Sequence, residues 1–146
     1  VLSNDTGAVR VSLNSSLSAG TSTQRLLEKS GYSAYHHFAF ATPDIFAYAE
    51  GLAPEYVLKM PPNYYDDLFL RFDLPADLVE AMRRLNILYD SDAGGAYYQL
   101  YSRAINGLFF EVVQRDGYAG LGAPNASVRM LAQSREYENE HALDMF

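Results

Sequence analysis

The chain has 146 residues with a formal net charge of −7, 49% hydrophobic and 20% charged residues, 12 Tyr, 8 Phe, no Trp and no Cys. That length and balance suit one ordinary globular domain and exclude a disordered or fibrous chain. The acidic surplus argues against a nucleic-acid partner, whose phosphates need a basic surface. The lack of cysteine removes disulfides, thiolate metal sites and thiol nucleophiles together. No apolar run nears the roughly 18 residues of a membrane span, and the first residues lack the basic and apolar regions of a signal peptide. A cytoplasmic protein is the expectation, and Val1-Leu2-Ser3 reads as the interior of something longer.

In chain order, Val9 to Asn14 alternates at period two and predicts a strand. Ser15 to Thr23 is a loop by composition, and Gln24 to Lys29 is a short helix stopped by Gly31. Ala34 to Thr42 predicts a strand with Tyr35, His37, Ala39 and Ala41 on one face and His36, Phe38 and Phe40 on the other. Pro43-Asp44 starts a helix that Gly51 ends, while Tyr64-Tyr65-Asp66-Asp67-Leu68 is too irregular to assign beyond an extended segment. Leu78, Val79, Met82 and Leu85 have the spacing of an amphipathic helix over Asp77 to Leu85.

Three strands follow, Ile87–Tyr89, Ala96–Tyr101 and Leu108–Gln114, with Asn106-Gly107 as the strongest hairpin signal. A final helix opens at Pro124-Asn125 and carries Val128, Met130, Leu131 and Ala132 before an acidic end from Glu136 to Glu140. The order predicts an α+β domain with a mostly antiparallel sheet.

One residue is out of place in this pattern. Glu111 lies in the apolar run Leu108 to Val113 and shares a face with Phe109. A carboxylate there is costly to bury unless it is paired, protonated or metal-bound. His37, on the first strand of the unit, is the best candidate to face it. Two imidazoles and one carboxylate form the open facial arrangement of non-haem Fe(II) sites. The competing readings are that Glu111 pairs with Arg115 or Arg103 at a sheet edge, that Asp66-Asp67 forms a polar rim or an acidic metal site, and that His141 is a solvated tail residue.

The segments His37-Phe38-Ala39-Phe40-Ala41-Thr42-Pro43-Asp44, Pro61-Pro62-Asn63-Tyr64-Tyr65-Asp66-Asp67-Leu68, Gln99-Leu100-Tyr101, Phe109-Phe110-Glu111-Val112-Val113-Gln114-Arg115 and Gly120-Leu121-Gly122 closely resemble the C-terminal half of the 4-hydroxyphenylpyruvate dioxygenase family. The resemblance implies a vicinal oxygen chelate fold made of βαβββ modules. It divides the chain into residues 1–30 as the end of a preceding module with a connecting helix, 31–118 as a βαβββ metal-binding module, and 119–146 as a gating helix and acidic tail. It implies Fe(II) as cofactor, with His37 and Glu111 as ligands and a further histidine upstream of Val1. Gln99 and Asn14 would serve catalysis, and Phe109, Tyr101, His36 and Ala126 would line the substrate pocket.

The implied chemistry is decarboxylation of a 2-oxo acid coupled to aromatic hydroxylation with O₂. The module is expected to pair with an upstream module or a second subunit, as a homo-oligomer. Some positions depart from the family. His36 and Tyr101 replace a glutamine and a phenylalanine, Ala126 stands where a phenylalanine is usual, and a pocket glutamine is replaced near Ser22. These variants look more like the dioxygenase-like domain fused behind a barrel in bacterial 3-dehydroshikimate dehydratases, where it would be accessory or act on an unknown substrate.

Overall fold

A computed structural model describes residues 1–16 and 20–142, the side chains of 140–142 excepted. The chain forms two compact units, Val1–Ala34 and Tyr35–Phe146. In the first, β1 (Leu2–Ser3) pairs antiparallel with β2 (Arg10–Val11), so the strand expected from Val9 to Asn14 is only two residues long. Every residue of both strands is exposed, and a ribbon this short has no apolar face to bury. Helix α1 (Ser22–Ser30) is capped by the Thr21 side chain, which accepts from the Gln24 N–H. It ends on Gly31 at φ 71°, as the sequence predicts.

The second unit contains β3 (His37–Ala41), α2 (Ile45–Glu50), α3 (Asn63–Arg71), α4 (Ala76–Leu85), β4 (Leu88–Asp92), β5 (Gly95–Tyr101), β6 (Phe109–Asp116) and α5 (Ala126–Ala142). The Asp44 side chain accepts from the Ala47 N–H and so starts α2. The segment from Tyr64 to Leu68 is helical, not extended. Its Tyr64, Tyr65 and Leu68 are spaced to bury one face, and all three are buried. The Arg83 guanidinium donates to Asp66, so that carboxylate is paired with a cation.

The four-stranded sheet has the order β3-β6-β5-β4. β4, β5 and β6 form an antiparallel meander, whereas β3 runs parallel to β6 after the long helical crossover, which gives the βαβββ order. Asn106 and Gly107 have φ of 53° and 90°, and Ile105 and Leu108 exchange backbone hydrogen bonds across them. This is the two-residue hairpin turn that an Asn-Gly pair favours. The main core joins Ile45, Leu58, Leu68, Val79, Met82 and Ile87 with Leu88, Leu100 and Phe109 of the sheet. β3 is an edge strand whose Phe38, Ala39, Phe40 and Ala41 are exposed.

The β4–β5 turn depends on a close backbone approach. A Cβ on Gly95, at φ 147°, would lie 1.8 Å from the Asp116 carbonyl oxygen. A Cβ on Gly31 would meet nothing within 4 Å. Gly31→Ala therefore costs only the left-handed backbone penalty, roughly 1–2 kcal/mol, and Gly95→Ala costs clearly more. Urea denaturation of the two variants measures the difference, and equal losses would contradict the stated packing.

Candidate metal centre

Pleating and register assemble the site. On β6, Phe109 and Glu111 point to one face of the sheet, and the β5 residue opposite Glu111 is Tyr101, with Gln99 and Tyr97 following on the same face. Ala39 lies opposite Glu111 on β3 and His37 opposite Phe109. The small alanine leaves room beside the carboxylate, and His37 reaches toward it diagonally. Glu111 is 6% exposed and lies on an interior strand, so it is not an edge residue. Arg103 instead engages Glu136, and Arg115 donates to the Gly120 carbonyl and the Tyr97 hydroxyl.

The two carboxylate oxygens of Glu111 have different surroundings. Oε1 accepts from Gln99 Nε2 at 2.8 Å, from the Tyr101 hydroxyl at 3.1 Å and from the Tyr97 hydroxyl at 3.4 Å. Oε2 lies 3.5 Å from His37 Nε2. His37 stacks flat on Phe109, with centroids 4.9 Å apart and planes 7° from parallel. Its other ring nitrogen, Nδ1, is 3.0 Å from Nδ1 of His36.

That last contact differs from the sequence expectation, which put His36 on the opposite face. The strand begins at His37, so strict alternation does not apply to His36, and its ring packs edge-on against both His37 and Phe109. Burial, then the charge of Arg129 and the neighbouring His37, lower the His36 pKa to about 4. Burial also lowers the pKa of His37, opposed by Glu111 and reinforced by Arg129. Burial and the Glu111 carboxylate hold the Tyr101 hydroxyl well above its usual pKa, so it remains a donor.

A second tier of hydrogen bonds supports the first. Gln99 is 2% exposed, and its Oε1 accepts from Asn125 Nδ2 at 2.8 Å. Asn125, fully buried at the turn before α5, also donates to the Tyr89 carbonyl and accepts from the Tyr64 hydroxyl. Gly122, at φ 65°, lets this turn approach. A Cβ there would lie 2.6 Å from both amide atoms of Gln99. Sequence reading finds Gln99, Phe109 and Tyr101 but misses Tyr97, Asn125 and Arg129, whose roles depend on register and on how α5 docks.

Ala126, half-buried, is the first residue of α5. Arg129 lies one turn on, with its guanidinium 5.2 Å from the Phe109 ring centroid and 5.8 Å from that of Tyr101. Asn14 is an exposed residue of the first unit, outside its strands. The side chain of His141 lies outside the described residues.

His nitrogens and carboxylate oxygens bind metals at about 2.0–2.2 Å, so one ion bridges donors up to about 4.4 Å apart. The 3.5 Å between His37 Nε2 and Glu111 Oε2 is within that reach. Among the described residues no group of three His, Asp or Glu side chains is placed to hold an ion, so these two form a partial donor set. Two cavities, of about 230 and 550 Å³, are lined by neither His37 nor Glu111, and Tyr101 borders the smaller one.

Removing Asn125 strands the Gln99 carbonyl in a buried site, at a cost of roughly 1–3 kcal/mol for the unmet group. We expect Asn125→Ala to lose about that much, and Gln99→Leu and Asn125→Ala to couple by at least about 0.5 kcal/mol in a double-mutant cycle. Additive losses in urea denaturation would show that the two amides act separately.

No protein-family model matches the chain. It is 41% identical over 135 residues to a 3-dehydroshikimate dehydratase from Pseudomonas aeruginosa, covering 88% of this chain and 21% of that protein. It is 28% identical over 124 residues to a 4-hydroxyphenylpyruvate dioxygenase from the same organism, covering 82% of this chain and 35% of that one. A solved xylose isomerase-like TIM barrel/4-hydroxyphenylpyruvate dioxygenase fusion protein superposes with a TM-score of 0.65 at 37% identity, over 77% of this chain and 20% of that chain. The chain thus spans only a fifth to about a third of these proteins. With this likeness in sequence and fold, the chain is a dioxygenase-like domain of the vicinal oxygen chelate fold, related to the 4-hydroxyphenylpyruvate dioxygenases and to the 3-dehydroshikimate dehydratases.

Proposed function

We propose that this chain is the metal-holding module of a longer non-haem Fe(II)-dependent dioxygenase-like protein that acts on a 2-oxo acid with O₂. The observation that carries this reading is the Glu111 carboxylate, buried with Oε1 held by three donors and Oε2 left facing His37 Nε2 at 3.5 Å. His37 and Glu111 would supply two ligands, and a histidine outside this chain would supply the third. The ion, when bound, contributes Lewis-acid and redox chemistry toward the oxo acid and O₂.

The chain's own residues prepare that site. For His37 Nε2 to be a ligand, its proton must sit on Nδ1, and His36 Nδ1 is placed to accept it. The low pKa of His36 keeps its ring neutral and able to accept at neutral pH. Gln99, Tyr97 and Tyr101 fix the carboxylate rotamer, and Phe109 supports the imidazole plane. With both ends of the Gln99 amide already hydrogen-bonded, its role in this reading is to orient Glu111. Tyr101, His36, Phe109 and Ala126 would border the substrate. The exposed β3 edge suits pairing with a further module or a second copy.

Two readings of the longer protein compete, one with a named substrate and one without. The first takes 4-hydroxyphenylpyruvate, with decarboxylation coupled to ring hydroxylation. The second makes this the C-terminal domain of a 3-dehydroshikimate dehydratase fusion, accessory or with another substrate. The higher identity to the dehydratase than to the dioxygenase of one organism, 41% against 28%, favours the second.

Full-length protein loaded with Fe(II) should consume O₂ with 4-hydroxyphenylpyruvate if the first holds. His37→Ala and Glu111→Ala should each lower bound iron at least tenfold, in keeping with ligand loss. Iron retention by both variants would overturn the metal reading. Iron bound without O₂ uptake would leave the dehydratase-type domain as the answer.

A further inference from the structure

The side chain of α5 that meets the ring layer of the site is a cation. The Arg129 guanidinium lies over Phe109 and Tyr101, the two rings that flank the His37–Glu111 pair. Nη1 donates to Gln133 Oε1 at 2.8 Å, one turn along the helix. Arg129 takes part in none of the ion pairs among the described residues. A guanidinium has five N–H donors in a planar fork, and most of them remain here for a ligand.

The surroundings narrow what that ligand is. Ala126, half-buried, lies three residues earlier on the same helix face. The planar guanidinium fork can take the two oxygens of a carboxylate side by side.

We propose that Arg129 is a substrate-binding, specificity-determining residue that engages a carboxylate at the far end of the substrate, so that the module prefers a 2-oxo acid bearing a second carboxylate. This rests on the reading of the site as one for 2-oxo acids, whose own carboxylate would go to the metal side with His37 and Glu111. A charge-assisted pair of this kind corresponds to about a 10- to 100-fold gain in affinity.

The test is calorimetric titration of full-length protein with 2-oxoglutarate and with 2-oxopentanoate, which share a chain length and differ by one carboxylate. Each is run with and without Fe(II) under exclusion of O₂. Wild type should prefer 2-oxoglutarate by about 10- to 100-fold. Arg129→Met should bring the ratio near one without weakening 2-oxopentanoate, and Arg129→Lys should keep part of it. Equal affinities in wild type, or a ratio unchanged in Arg129→Met, would overturn the proposal. If iron alters neither affinity, the metal reading fails on its own, while the ratio still decides the role of Arg129.

Discussion

Glu111 sits on an interior strand with 6% exposure, and its surroundings are arranged around the cost of putting a carboxylate there. Desolvating such a group is prohibitive unless hydrogen bonds replace water. Three β5 side chains on one face, Tyr97, Gln99 and Tyr101, provide them, and all three converge on the same oxygen. The arrangement is asymmetric. An ordinary buried carboxylate would be satisfied at both oxygens, whereas this one keeps Oε2 beside an imidazole nitrogen. A site that is fully hydrogen-bonded on one side and open toward a second ligand atom suits metal coordination, where outer partners fix the ligand's orientation.

That arrangement explains features distant from the carboxylate. Gln99 can hold Glu111 only if its own carbonyl is met, which ties the sheet to Asn125 and hence to the start of α5. The turn before α5 approaches closely enough only because residue 122 is glycine. Tyr64 on α3 completes the connection through its hydroxyl, so the helix that the sequence leaves unassigned helps to hold the site. On the other side, His36 steps out of the strand pattern and orients His37 through a single nitrogen contact. The site is therefore one hydrogen-bonded unit running from α3 through α5 and the sheet to the residue before β3.

Much of this is legible from sequence, and the exceptions have physical reasons. The β5 and β6 strands, the Asn106-Gly107 turn and the odd position of Glu111 follow from period-two alternation and turn chemistry, which are local. α3 is missed because its buried positions carry tyrosines beside two aspartates, so polar atoms mask the apolar periodicity. The reach of the Val9–Asn14 strand is overestimated because alternation alone cannot report whether a partner strand is long enough to pair with it. His36 is misplaced because the strand starts at His37, three residues later than its pattern suggests, and so leaves His36 outside the alternation. The partners of Glu111 depend on strand register and helix docking, which link residues ten or more positions apart in sequence.

The proposed site stands or falls on whether His37 and Glu111 hold one ion between them. Diffraction from crystals of the full-length protein grown with Fe(II), recorded at the iron absorption edge, tests it most directly. An anomalous peak is expected about 2.0–2.2 Å from both His37 Nε2 and Glu111 Oε2, with Gln99, Tyr97 and Tyr101 still bonded to Oε1. A peak that touches neither residue, or a Glu111 with both oxygens turned into protein hydrogen bonds and no iron beside it, would contradict it.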